Sequence, residues 1–124
     1  MQKLLLILFL FFGQAASADL LSENRGLWEG TGFLESGQEW PIYVEFLTDI
    51  AHVRTPEDGC EAIWQFESIT QNIIRGWENV TVGEDRCYVG LKFVVTRHDR
   101  HRLKVDWYQM NGMFVAHAIL WPVQ

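Results

Sequence analysis

Positive charge is scarce in this chain. Ten lysines and arginines face sixteen aspartates and glutamates across 124 residues, a formal charge of −6. Polyanions reward a basic face, so this balance sets aside DNA, RNA and anionic lipid headgroups as partners. Cysteine is nearly absent as well, with Cys60 and Cys87 the only two. Also missing are the G-x-S-x-G elbow of serine hydrolases, an H-E-x-x-H helix and a glycine-rich phosphate loop. The common nucleophilic, zinc-hydrolytic and nucleotide chemistries therefore have no foothold, and no cofactor is called for. Nor does any segment after the first 18 residues keep a helical period for three turns.

What the N-terminus does have is one apolar run, Leu4 to Phe12, preceded by Lys3 and followed by Ala16-Ser17-Ala18. The run is too short for a resident membrane helix, and the small residues form a cleavage pattern. Residues 1–18 thus read as a secretory signal peptide, and 19–124 as a single domain with no membrane attachment once the signal is removed. Loss of Lys3 takes the formal charge to −7. A secreted or periplasmic compartment is oxidising, so Cys60 and Cys87 read as one disulfide and not as nucleophiles.

The remaining sequence alternates with period two. "WPIYVEFL" sets Trp40, Ile42, Val44 and Phe46 against Tyr43, Glu45 and Leu47. "CEAIWQFESI" sets Ala62, Trp64 and Phe66 against Ile63, Gln65 and Glu67, and "RLKVDWYQ" does the same with Leu103, Val105 and Trp107. Each pattern is a strand with one buried side. Turn formers separate the runs in "ESGQE", "TPEDG", "VGEDR", "RHDRH" and "MNG". Strands are expected near 26–34, 40–48, 60–68, 71–80, 86–96, 102–109 and 113–121. Seven to eight short strands must close on themselves or stack, because a single open sheet cannot bury its own apolar face. The expected fold is all-β, a small antiparallel meander barrel with one disulfide, with a β-sandwich as the alternative. Six tryptophans, nearly one per strand, are expected to fill its interior and leave little empty volume.

Candidate chemistry is sparse. Asn79-Val80-Thr81 is a glycosylation acceptor triplet in a eukaryotic secretory pathway. His98-Asp99-x-His101 has metal-like spacing, but Arg97, Arg100 and Arg102 crowd it with like charge, and it reads as a solvated turn. His117 reads as a lone structural histidine. Glu29, Glu35, Glu45, Glu61, Glu67 and Glu78 are scattered over the strands without a spacing that brings two together. Trp77, Glu78, Tyr88 and Tyr108 are the candidate binding surface, aromatics that serve as anchors when exposed, with an acid among them.

Gly26-x-Trp28 is similar to the G-x-W that opens lipocalin-type barrels, although the closing "AILWPVQ" lacks the arginine on which that tryptophan packs. A longer pattern runs through Trp28-x-Gly30, Trp40-Pro41-x-x-Val44, Thr55-Pro56-x-x-x-Cys60, Glu78-x-Val80-x-x-Gly83-x-x-x-Cys87, Leu103-x-x-x-Trp107 and Ala118-x-Leu120. In that order it resembles a family of small, disulfide-containing extracytoplasmic β-domains, mainly bacterial, whose role is largely unassigned. The resemblance implies fold, compartment and disulfide, and no activity. Two departures, Thr55-Pro56 for Tyr-Pro and Cys60-Glu61-Ala62-Ile63-Trp64 for Cys-x-Gly-x-Leu, put bulk beside the disulfide. The expected function is a secreted or periplasmic binding module for a protein or glycan partner such as a cell-wall component, in the manner of an inhibitor or immunity factor. The alternatives are a lipocalin-like binder of a small apolar ligand and, last, a carbohydrate-active enzyme with paired carboxylates.

Overall fold

The computed structural model describes residues 18–123. The signal-peptide reading falls on residues 1–18, which lie outside the described residues except for Ala18. A short helix, α1 (Leu20–Glu23), precedes eight strands: β1 (Gly26–Leu34), β2 (Glu39–Phe46), β3 (Ile50–Thr55), β4 (Cys60–Ile69), β5 (Ile73–Val82), β6 (Lys92–Arg97), β7 (Leu103–Tyr108) and β8 (Phe114–Pro122). Each pairs antiparallel with the next, and β1 closes on β8 from Trp28↔Pro122 to Leu34↔Ala116. The expected meander barrel is therefore the fold, with every strand paired on both sides.

Two strand assignments change. The expected strands include none between 48 and 60, yet Ile50–Thr55 is strand β3, paired to both β2 and β4. Its inward side chains are only Ala51 and Val53, too small a pair to stand out as a buried face. The expected 86–96 strand shrinks to Lys92–Arg97, because Gly83 turns at positive φ and Arg86 and Cys87 donate their N–H groups back to its carbonyl. Residues 83–91 thus form a long loop instead of strand.

Alternation sends Ile42, Val44, Phe46, Trp64, Phe93, Val105 and Leu120 inward, all at most 1 % exposed. Trp64 is the centre, stacked on Phe93 at 4.3 Å between centroids and set edgewise to Trp107 at 6.2 Å. Helix α1 plugs one end. Asp19 caps it through Ser22, Leu20 and Leu21 are buried, and the Leu20 N–H donates to the Thr70 carbonyl of the β4–β5 turn. The Trp28 indole donates to the Asn24 carbonyl just above the helix, sealing that end further.

Four tryptophans serve the core: Trp28, Trp64 and Trp107 are buried, and Trp40 packs against the cluster. The other two face outward, and each donates its indole N–H to an acid, Trp77 to Glu67 and Trp121 to Glu29. The interior is correspondingly less full than six tryptophans would make it. Its wall also includes Gly30, Gly76, Ala51, Ala62, Ala116 and Ala118, which supply almost no bulk.

Candidate functional site

The end of the barrel opposite α1 is open. The turns before β2, β4 and β6 border a cavity of about 360 Å³, lined among others by Trp40, Ile42, Ala62, Val80, Leu91 and Trp107. The expectation of a filled interior is thus corrected: the barrel is hollow at its mouth because the small residues of β4 and β8 stand where large ones would meet the tryptophans. A volume of this size equals the liquid volume of about a dozen waters at about 30 Å³ each. It lies at the small end of ligand sites.

Glu78 lies at the cavity's inner end. It follows Ile74 and Gly76 on the inward face of β5. Strand pairing sets it opposite Trp64, and its own N–H donates to the Leu91 carbonyl. Two buried indoles donate to a single carboxyl oxygen, Trp64 Nε1 to Oε1 at 2.8 Å and Trp107 Nε1 to Oε1 at 3.0 Å. No fully buried side-chain nitrogen or oxygen among the described residues lacks a partner. Oε2, which neither indole reaches, is accordingly the oxygen that looks into the cavity. The side chain keeps partial solvent access through the mouth, while protein crowds the carboxyl from every other side. This burial pushes the Glu78 carboxyl above its ordinary value, and the two indole N–H groups offset the rise only in part.

The direction of that shift has a measurable consequence. A carboxyl whose folded pKa exceeds its unfolded one binds its proton more tightly in the folded state. The stability contributed by neutral Glu78 is therefore complete below the ordinary value of 4.5 and is lost as pH rises from there through the raised folded value. Glu78→Gln keeps an acceptor for both indoles and removes the titration. Denaturant titrations of both proteins at pH 4 and pH 8 should show the wild type losing stability relative to the variant at the higher pH. A difference independent of pH would refute the assignment. Asp99, held down to about 2 chiefly by the Arg102 guanidinium and by the His101 N–H, shifts the opposite way, but it is common to both proteins and cancels.

The rim is built from the disulfide and its neighbours. Cys60 begins β4 and Cys87 lies in the β5–β6 loop, with Cα atoms 6.5 Å apart. Gly83 packs so closely against this bond that a β-carbon there would sit 3.0 Å from the Gly59 carbonyl and 3.1 Å from the Cys60 sulfur. Arg86 reinforces the tie. Its Nε donates to the Asp58 carbonyl at 2.8 Å, one Nη to the Gly59 carbonyl at 3.1 Å, and the other to Asp85 at 3.0 Å.

The candidate binding residues separate. Glu78 and Tyr88 line the cavity, the latter at its mouth and 56 % exposed. Trp77 points to the opposite side of the same strand, with Lys92 Nζ 5.1 Å from its ring centroid. Tyr108 is also on the outer wall, packed edgewise on Phe114 at 5.8 Å. The four do not form one surface, because neighbours on a strand face opposite sides. Asn79, likewise outward, is exposed in mid-strand opposite Ile63. His117 stacks on Phe33 and Phe114 outside the barrel. Asp99 spends both oxygens on the backbone and side chain of its own turn. Among the described residues no cluster of three His, Cys, Asp or Glu could hold a metal ion. Sequence reasoning missed Trp40, Trp64 and Trp107 as site residues. The available signal was that each lies on the inward register of its strand.

No protein-family model matches the chain, and a comparison with curated proteins finds no match either.

Proposed function

We propose that the protein is a small-ligand-binding β-barrel that works outside the cytoplasm and takes its ligand into the open mouth. One observation carries this reading: a cavity of about 360 Å³ ends on a single carboxyl held by two indoles, in a barrel plugged at its other end. Eight-stranded barrels have room for one small molecule when their inward side chains are small on one level. The disulfide at the rim supports the compartment.

The test is to fill the cavity from its wall. Val80, two residues beyond Glu78 on the same inward face, lines the cavity. Small aromatic alcohols, amines and acids titrated by calorimetry should include at least one that binds with one-to-one stoichiometry. Val80→Trp should weaken that binding at least about tenfold, a loss of about 1.4 kcal/mol, without lowering the melting temperature. If no compound saturates, or if the variant binds unchanged, the reading fails. A second reading, a protein or glycan partner seated on the rim, draws on the exposed Met110, Met113 and Tyr88 around the mouth. It predicts that Val80→Trp retains its partner, since that variant alters only the inside.

A further inference from the structure

We infer that the ligand is a small organic amine bound as its cation, with Glu78 Oε2 as its counter-ion and an apolar or aromatic body against the cavity walls. The inference deepens the small-ligand reading and rests on it.

Division of labour within the Glu78 carboxyl is the first argument. Oε1 is saturated by two indoles that hold the group in one orientation, and Oε2, on a side chain that lines the cavity, has no protein donor among the described residues. An acceptor oxygen fixed in this way recognises a donor on the ligand, and a charged donor roughly doubles the strength of such a bond. The second argument is charge balance. Arg86 is the only lysine or arginine in the lining, and its guanidinium is engaged by two backbone carbonyls and Asp85 at the rim. Ionised Glu78 would thus have no counter-charge in the lining, and Asp58 and Glu61 at the rim add further acid. A carboxylate or phosphate ligand would meet like charge here. The third argument is the wall. Trp40, Trp107 and Tyr88 line the cavity, and the negative faces of such rings attract a cation within about 6 Å of the centroid. A neutral donor would use the aromatic walls equally well and could bond Oε2, but would leave the acid at the far end without a counter-charge.

Three molecules with the same phenylethyl body separate the cases: 2-phenylethylamine, 2-phenylethanol and 3-phenylpropanoate, each titrated by calorimetry into the full chain. The amine should bind at least about tenfold more tightly than the alcohol, and the acid most weakly. Glu78→Gln should abolish the amine's advantage and leave the alcohol within about threefold of its wild-type affinity. Wild-type protein alone gives an independent check. Amine affinity should fall as pH drops and Glu78 gains its proton, while alcohol affinity stays level. Of the groups that line the same cavity, Asp58, Glu61, Arg86 and Tyr88 remain in Glu78→Gln, so any pH dependence left in that variant is theirs. Equal or tighter binding of the alcohol or acid, or an amine preference that survives in Glu78→Gln, overturns the inference and leaves small-ligand binding standing. Absence of binding by all three overturns both.

Discussion

Gly76→Ala is expected to destabilise the protein by at least about 3 kcal/mol and to leave no cooperative melt near the wild-type temperature. The cause is a backbone clash and not an unusual φ. A β-carbon at Gly76 would sit 1.9 Å from the Gln65 carbonyl oxygen and 3.1 Å from the Glu67 nitrogen, both main-chain atoms of the neighbouring strand. Side chains can rotate away from an intruding methyl, but a paired strand cannot. β4 and β5 form the longest hairpin, and their register shifts between Phe66 and Ser68, beside Gly76. A bulge facing a glycine is how a strand bends sharply enough to turn a barrel corner. Gly30 plays the same part at the closing seam, where a β-carbon would lie 1.9 Å from the Ile119 carbonyl oxygen. Gly90→Ala is the internal comparison. That residue has φ +71 and nothing within 4 Å, so the change meets only left-handed strain, roughly 1 kcal/mol. Circular dichroism melts of the two variants should differ widely. A Gly76→Ala protein as stable as Gly90→Ala would mean that the barrel closes without these corners.

These corners also explain which parts of the molecule were legible beforehand. Period-two alternation places every residue on a face, so the inward set Trp40, Ile42, Val44 and Phe46 could be assigned from spacing alone. Strand β3 escaped because Ala51 and Val53 bury little surface between exposed His52 and Arg54, and a weak alternation resembles a loop. The hollow mouth escaped for a related reason. Whether a barrel is full depends on which inward residues share a level, and that depends on shear and register, which no single strand encodes. Glu78 was visible as an acid in a candidate binding surface with Trp77, Tyr88 and Tyr108, although its parity with Ile74 and Gly76 is inward. Its partners could not be read, since Trp64 and Trp107 are 14 and 29 residues away and meet it only after closure. Grouping Trp77 with Glu78 followed sequence adjacency, whereas the barrel wall runs between them.

Replacing both cysteines by serine is expected to lower stability by about 3.5 kcal/mol, the chain entropy of a 27-residue loop, or roughly 15 to 25 °C in melting temperature for a domain of this size. The loop closed by Cys60 and Cys87 contains all of β5, the strand that carries Glu78. In the unfolded chain the bond confines this segment. In the folded one it anchors the β5–β6 loop, whose residues 83–90 have little other hold on the barrel, since only Leu91 at its end is buried and accepts the Glu78 N–H. Arg86 gives part of that hold, but its side chain is half-exposed and its bond to Asp85 is a surface ion pair of small value. Tyr88 and the loop backbone around it should therefore gain mobility at the mouth, while Trp64, Trp107 and Glu78 stay packed below. The two effects can be measured separately. Denaturant unfolding reports the global loss, and amide exchange should rise in residues 83–91 well before it rises in β4 or β7. A stability loss under about 1 kcal/mol would mean that the unfolded chain is already compact around this loop. Uniform exchange across the barrel would mean that the disulfide supports the whole closure, and that the mouth has no independent freedom to admit a ligand.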